Sequence, residues 1–302
     1  MSAARTWPGS RRVRMRIFAV VAAVAFGFAA RPAYSWDSRT HMLIAKLAVA
    51  ALPSSPLAQT LAANEALLEH DAVAPDVELK RRYGHAEEIH HYIDLENFGP
   101  NPLAQLNPDF NQMRRRYGDR TLDRSGTLPW TIEATATGLQ NAWRAGDCAK
   151  AIQLSGYLAH YVGDASQPLH STRYYDGSPD DRGVHSRLES AVDHEVPWVE
   201  AQARPHVRLV KIDSVWTTTI DEIRDANELI PVVIQSDRAV RASSGRDWQV
   251  YDHDLMSREG TMIAGQVAAA SSVLSSIWLY EWSQAGHPAA CVKNSVAAPS
   301  KR

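Results

Sequence analysis

The sequence is poor in cysteine. Only Cys148 and Cys291 occur in 302 residues, and neither lies in a CxxC pair, which argues against thiolate zinc sites. No Gly/Ser-rich stretch divides the chain, so two domains on a flexible tether are not expected. No convincing apolar/polar alternation and no internal repeat is present, which argues against sheet-built classes. Positions 1–35 have no acidic residue and six Arg. Without them the formal charge falls from −2 to −8. A chain that acidic lacks the general cationic surface that drives nonspecific binding to nucleic acid.

The acid-free start reads as a targeting segment. Arg11, Arg12, Arg14 and Arg16 form a basic region, and 17–30 is an apolar stretch too short to span a bilayer comfortably. Ala33, Tyr34 and Ser35 follow, with small residues where a cleavage site needs them. The expectation is a signal peptide over 1–35, a mature start at Trp36 and a secreted or periplasmic protein. The alternative is an anchor that is never cut. In an oxidising compartment Cys148 and Cys291 would pair. Closing so long a loop would stabilise the fold by roughly 4–5 kcal/mol in the chain-entropy account; two unpaired thiols are the alternative.

What the chain does have is helical periodicity. Helices are predicted over 36–51, 131–145, 148–164, from 184 to about 197, 214–239 and 254–285. Pro129 suits a first turn, and Pro231 interrupts the fifth of these helices. Residues 70–98 are mixed and rich in His, Asp and Glu. The stretches 102–108, 174–183 and 243–253 read as loops, the last polar with aromatics, for which overhang of a site is the lesser alternative. The expected class is all-α, one domain over 36–290 with a flexible tail over 291–302, and a site built from side chains on facing helices.

The strongest local feature runs His160-Tyr-Val-Gly-Asp164-Ala-Ser-Gln-Pro-Leu-His170. His160 and Asp164 are four apart, so a helix puts them on one face. Pro168 ends that helix and lets His170 turn back to the same cavity. Two imidazoles and a carboxylate suit zinc. His185 and Glu189 repeat the spacing. Asp76 is followed by His90, His91, Tyr92 and Asp94, and Trp36 by His41. A free amino group and the carbonyl oxygen of Trp36 would chelate a metal. Singly, such His/carboxylate pairs are usually solvated ion pairs; their order along the chain is what carries meaning.

That order resembles the superfamily of zinc-dependent phospholipases C and S1/P1 nucleases, over nearly the whole mature chain. The resemblance implies three zinc ions. One would be held by Asp76, His91, His160 and Asp164, with His90 the alternative to His91. A second would be held by the Trp36 amino and carbonyl groups, His41 and a shared Asp164. The third would be held by His170, His185 and Glu189. It implies phosphodiester hydrolysis by an activated water that Asp76 orients, with Asp164 as the shared metal-bridging acid. The substrate stays open between a phospholipid head group and a nucleic acid or nucleotide. Glu189 and the short gap from His170 to His185 are phospholipase-like, whereas the spacing from Trp36 to His41 and the run His91-Tyr92-Ile93-Asp94 are nuclease-like. In a nuclease Tyr92 would stack a base and Asp94 would accept hydrogen bonds from it; otherwise Tyr92 is core and Asp94 orients a ligand histidine. The nucleases' phosphate-reaching Arg falls at Leu79 here, leaving Lys80, Arg81 or Arg82 to substitute or to form a solvated face. Arg39 and Val77 stand where choline-binding phospholipases carry an acid and an aromatic, which puts that head-group pocket in doubt. Tyr174, Tyr175 and Trp198 are candidates for another. No obligate protein partner is implied, and peripheral contact with a membrane is compatible with the lipid reading. A third reading is an exported zinc-binding protein without turnover.

Overall fold

The computed structural model describes residues 36, 38–245 and 247–288. The targeting segment over 1–35, the tail over 291–302 and Cys291, on which the bridge to Cys148 depends, lie outside the described residues. Among those described there are fourteen α-helices and no strand, so the all-α expectation holds.

The chain enters through α1 (Ser38–Ala51), which buries Leu43, Ile44 and Leu47 on one face. Next come α2 (Pro56–Ala63), capped by the Ser55 hydroxyl accepting the Ala58 N–H, and α3 (Glu65–Ala74). α3 runs directly into a single π-helical turn, Pro75–Leu79, in which the Lys80 N–H donates to the Pro75 carbonyl. Then follow α4 (Lys80–Tyr83), α5 (His85–Glu88) and three 3-10 turns. The last of these, Pro102–Gln105, takes up most of the stretch expected to be loop.

α6 (Phe110–Tyr117) and α7 (Asp119–Ser125) lead to α8 (Leu128–Ala145), with Pro129 in its first turn and a left-handed Gly146 at its end. α9 (Cys148–Ser166) is capped by Asp147 and stops before Pro168. The remaining helices are α10 (Val184–His194), α11 (Val196–Ala203), α12 (Val215–Asn227), α13 (Ile230–Ser244) and α14 (Trp248–Gln284). Pro197 and Pro231 each sit in the first turn of the helix they open. A proline there removes an N–H that has no partner in any case. The end expected near Pro197 and the interruption expected at Pro231 are both present, and in each case the proline opens the helix that follows.

One expectation is corrected. The stretch 243–253 is not an overhanging loop: α13 continues to Ser244, and α14 starts at Trp248. The Asp247 carboxylate accepts the N–H groups of Gln249 and Val250, which satisfies the first turn and starts the helix early. Tyr251 is then buried and donates its hydroxyl to Asp237 at 2.8 Å.

α9 is the central element. It packs against α1, α3, α8 and α14, and its face from His160 to Ser166 is wholly buried. Gly156 lets α3 and α9 touch almost backbone to backbone: a Cβ there would lie 2.4 Å from Asp71 Cβ and 3.0 Å from its carbonyl carbon. α14 is long and apolar enough to cross a membrane, but most of it is packed inside the fold, with Leu255, Ile263, Val267, Leu274, Ile277 and Trp278 all buried. One continuous core runs from Trp36 to Trp282, and the polar cluster described next lies among these helices.

Candidate metal centre

Spacing on α9 puts His160 and Asp164 on one buried face, and tertiary packing brings four other segments to them. α1 supplies His41, whose ring stacks on His160 with centroids 3.9 Å apart. The π-turn supplies Asp76. The 3-10 turn after α5 supplies His91, with Nδ1 3.0 Å from Asp164 Oδ2, 3.4 Å from Asp76 Oδ1 and 2.9 Å from His160 Nε2. Asp164 Oδ1 lies 3.6 Å from His41 Nε2 and 3.7 Å from His170 Nδ1. A second cluster joins there: His170 Nε2 and His185 Nε2 are 2.9 Å apart, and Glu189 Oε1 is 2.8 Å from His185 Nε2. Every one of these eight side chains is buried.

Three groups result, His41/His160/Asp164, Asp76/His91/His160 and His170/His185/Glu189, each with donor atoms within 4.8 Å of one another. Hydrogen bonding assigns the protons. His160 Nδ1 lies 2.8 Å from the Ala72 carbonyl, and His170 Nδ1 lies 2.7 Å from the His91 carbonyl. A carbonyl only accepts, so both Nδ1 atoms carry the hydrogen and both Nε2 lone pairs point into the clusters. Burial drives the pKa values of His41, His91 and His160 well below that of free histidine; for His91 and His160 the nearby Lys80 charge adds to this. Burial also lowers His170, against the pull of Glu189. Burial would raise Glu189, but His185 and His170 outweigh it and hold the carboxyl at about 2. Imidazole nitrogens 2.9 Å apart beside buried carboxylates form a donor set suited to a divalent cation.

A family model described as zinc-dependent phospholipase C matches residues 40–224. The chain belongs to the zinc-dependent phospholipase C family. Among solved structures, the alpha-toxin from Clostridium absonum is 16% identical, with 82% of this chain and 64% of that one covered and a TM-score of 0.49. The alpha-toxin of Clostridium perfringens from avian strain SWCP is also 16% identical, with 84% and 65% covered and a TM-score of 0.50. At such identity the second shows a likeness of fold alone, and this chain spans just under two thirds of either toxin. No curated protein matches the chain. For a member of a zinc-dependent family, the donor set above is consistent with zinc.

The family's expected ligands can be followed one by one. All eight side chains expected as ligands converge, and it is His91, not His90, that faces the cluster. His90 is 36% exposed and turns its Nδ1 toward Glu87 at 3.3 Å. Trp36 is buried with the core. Tyr92 and Asp94 are half-buried. Burial first, then Glu96, pushes the Asp94 carboxyl up to about 7, with Arg173 opposing. Burial first, then Asp94, pushes the Tyr92 hydroxyl up to about 12, and Tyr175, edge-on to His185 at 5.6 Å, contributes. The Ala72 and His91 carbonyls orient the His160 and His170 rings, and Glu87 Oε1 lies 3.5 Å from His91 Nε2.

Two supporting residues escaped the sequence reading. Glu87 lies behind His91, with Oε1 3.5 Å from His91 Nε2 and accepting the Tyr161 hydroxyl at 2.6 Å. Its signal was present, since Glu87 and His91 are four apart. Gln167 donates to Glu189 at 2.9 Å; nothing in its spacing marks it. The loop from 173 to 183 is held down by Asp181, which is buried and accepts a bidentate pair from Arg238 and the Ser178 hydroxyl at 2.6 Å.

Proposed function

We propose that this protein is an exported zinc-dependent phosphodiester hydrolase that holds three zinc ions and acts, as a phospholipase C does, on phospholipid head groups. Three adjoining donor groups carry the reading: two share His160, with Asp164 facing donors of both, and the third lies next to them through His170. In it Asp76, His91, His160 and Asp164 hold one ion. His41, Asp164 and the amino and carbonyl groups of a mature Trp36 hold the second. His170, His185 and Glu189 hold the third.

Zinc, when bound, supplies Lewis acidity toward a phosphate and lowers the pKa of water. The protein's own residues do the rest. Asp76 orients the attacking water, because a carboxylate engaged by a cation is a weak base. Asp164, whose two oxygens face different histidines, keeps the two groups in register. The carbonyls of Ala72 and His91 fix the tautomers of His160 and His170. Tyr92 and Asp94 remain the candidates for contact with the substrate's organic portion, and in a nuclease they would stack and read a base. Burial of all eight donors keeps bulk water away and strengthens each charge interaction.

The deciding experiment is a parallel assay of the zinc-loaded protein beginning at Trp36. Its substrates are phosphatidylcholine, phosphatidylethanolamine, single-stranded DNA and RNA, and 3′-AMP. Diacylglycerol release without nucleotide cleavage is the expected result. Nucleotide cleavage without diacylglycerol overturns the head-group assignment, and a protein that is active without zinc overturns the metal mechanism.

A further inference from the structure

We propose that Arg187 is a positioning residue of the metal centre: from the outer face of α10 it fixes the rotation of that helix, and through it the His170/His185/Glu189 group. The inference rests on the zinc hydrolase reading above.

His185 and Glu189 are four apart on α10 and face the same way. Arg187 is two residues from each, about 200° round the helix, so it points to the opposite side. There its Nε and Nη2 form a fork on the Asp237 carboxylate of α13, at 2.7 and 2.8 Å. Nη1 donates to the Arg182 carbonyl at 2.9 Å, and Nη2 also donates to the Asp181 carbonyl at 3.0 Å. One side chain thus joins α10, α13 and the end of the loop that carries the chain from His170 to His185.

The acceptor is held as firmly as the donor. Asp237 is 1% exposed and also accepts the Tyr251 hydroxyl at 2.8 Å. The next residue on α13, Arg238, returns a second fork to Asp181 in the loop, at 2.5 and 2.7 Å. The two pairs run in opposite directions, so a turn of α10 breaks one of them. Gly183 completes the corner. Its φ is +88°, and a Cβ there would lie 2.7 Å from Arg187 Nη1, so glycine leaves the guanidinium its room.

Rotation matters because donor atoms stand off the helix axis. An atom about 5–6 Å from the axis moves about 1 Å when the helix turns by about 10°. Metal–ligand distances hold to about 0.2 Å. A lysine at this position reaches the carboxylate as a point charge, but it does not reproduce the fork and the two carbonyl bonds together. Arg187 acts through the backbone of α10 and not on the donor atoms themselves.

The test compares zinc-loaded protein beginning at Trp36 as wild type, Arg187→Lys, Asp237→Asn, Glu189→Gln and Ile277→Val. Glu189→Gln identifies the ion, because it removes a donor of that group. Ile277→Val trims the buried core on α14 and serves as the control for general destabilisation. Thermal melts report the fold, elemental analysis the zinc content, and chelator competition the separate zinc affinities. Arg187→Lys and Asp237→Asn are expected to fold and to bind the Glu189-dependent ion about 10- to 100-fold more weakly, with the other two unchanged. In the Glu189→Gln background, Arg187→Lys is expected to change neither remaining affinity. Wild-type affinities in both single variants overturn the proposal. So does an equal weakening of all the ions, or failure of both variants to fold, since either makes the brace structural. A wild-type protein that takes up no zinc overturns the hydrolase reading, and this proposal with it.

Discussion

Gly163 lies between the two proposed ligands of α9, His160 and Asp164, and its missing side chain is what admits His41. A Cβ built there would lie 2.9 Å from His41 Nδ1, 3.1 Å from His41 Cε1 and 3.1 Å from Ile44 Cδ1. Comfortable carbon contacts are about 3.5–4.0 Å, so Gly163→Ala forces the His41 ring and α1 outward by roughly 0.5–1 Å. In stability the change is small. Alanine favours the helix by about 1 kcal/mol and the overpacking costs about 1–3 kcal/mol. The net loss of about 0–2 kcal/mol leaves a domain of ordinary stability, about 5–15 kcal/mol, folded. Metal binding is far less tolerant, because ligand distances must hold to about 0.2 Å. The expected result is a folded protein whose zinc at the His41 group is bound at least ~10-fold more weakly. Circular dichroism melts report the fold, and elemental analysis with chelator competition reports the zinc. Gly138→Ala is the control, since its Cβ would meet only the tip of Leu154, at 3.3 Å; it should keep all its zinc and be unchanged or slightly more stable. A Gly163→Ala protein with wild-type zinc stoichiometry and affinity would refute the argument that close approach of α1 to α9 builds this site.

Glu87→Gln keeps the shape behind His91 but removes the charge that Tyr161 and His91 address. Zinc affinity at the Asp76/His91/His160 group should drop about 10- to 100-fold; chelator competition that returns the wild-type value would show that Glu87 does not orient His91. Glu222 on α12 tests the electrostatics of the core away from the centre. Burial raises its carboxyl to about 8, so the folded state holds a proton that the unfolded state gives up near 4.5. Its contribution is therefore full below about 4.5 and lost as pH rises toward 8, at up to ~1.4 kcal/mol per pH unit. Glu222→Gln removes that slope. Denaturant melts at pH 5 and pH 8 should show the variant gaining on wild type as pH rises, and parallel curves would contradict the assignment.

Much of the centre was legible because its signals are local. His160 with Asp164, and His185 with Glu189, are four apart, and a helix needs no tertiary information to put such residues on one face. The helices themselves follow from periodicity and from caps such as Asp147, Ser214 and Asp247. Where the reading failed, it failed on caps and breaks. The polar run over 243–253 hides Asp247 as a helix cap, and Trp248 and Tyr251 belong to α14 rather than to a loop. The breaks at Pro197 and Pro231 are legible as breaks, while the helix that each proline opens is not.

By itself the sequence determined the helical class, the identity of the donor side chains and their pairing along each helix, since these depend on spacings of a few residues. Only the tertiary structure decided which imidazole nitrogens face inward, that His91 rather than His90 does so, that Glu87 backs it, and that Lys80 sits on Asp76. Those outcomes depend on how closely helices distant in sequence approach. Here that distance is set by two glycines on α9, one admitting α3 and the other the His41 ring, and by a π-turn with no local signature in composition. Contacts of this kind join residues tens of positions apart, and no periodicity read along one segment contains them.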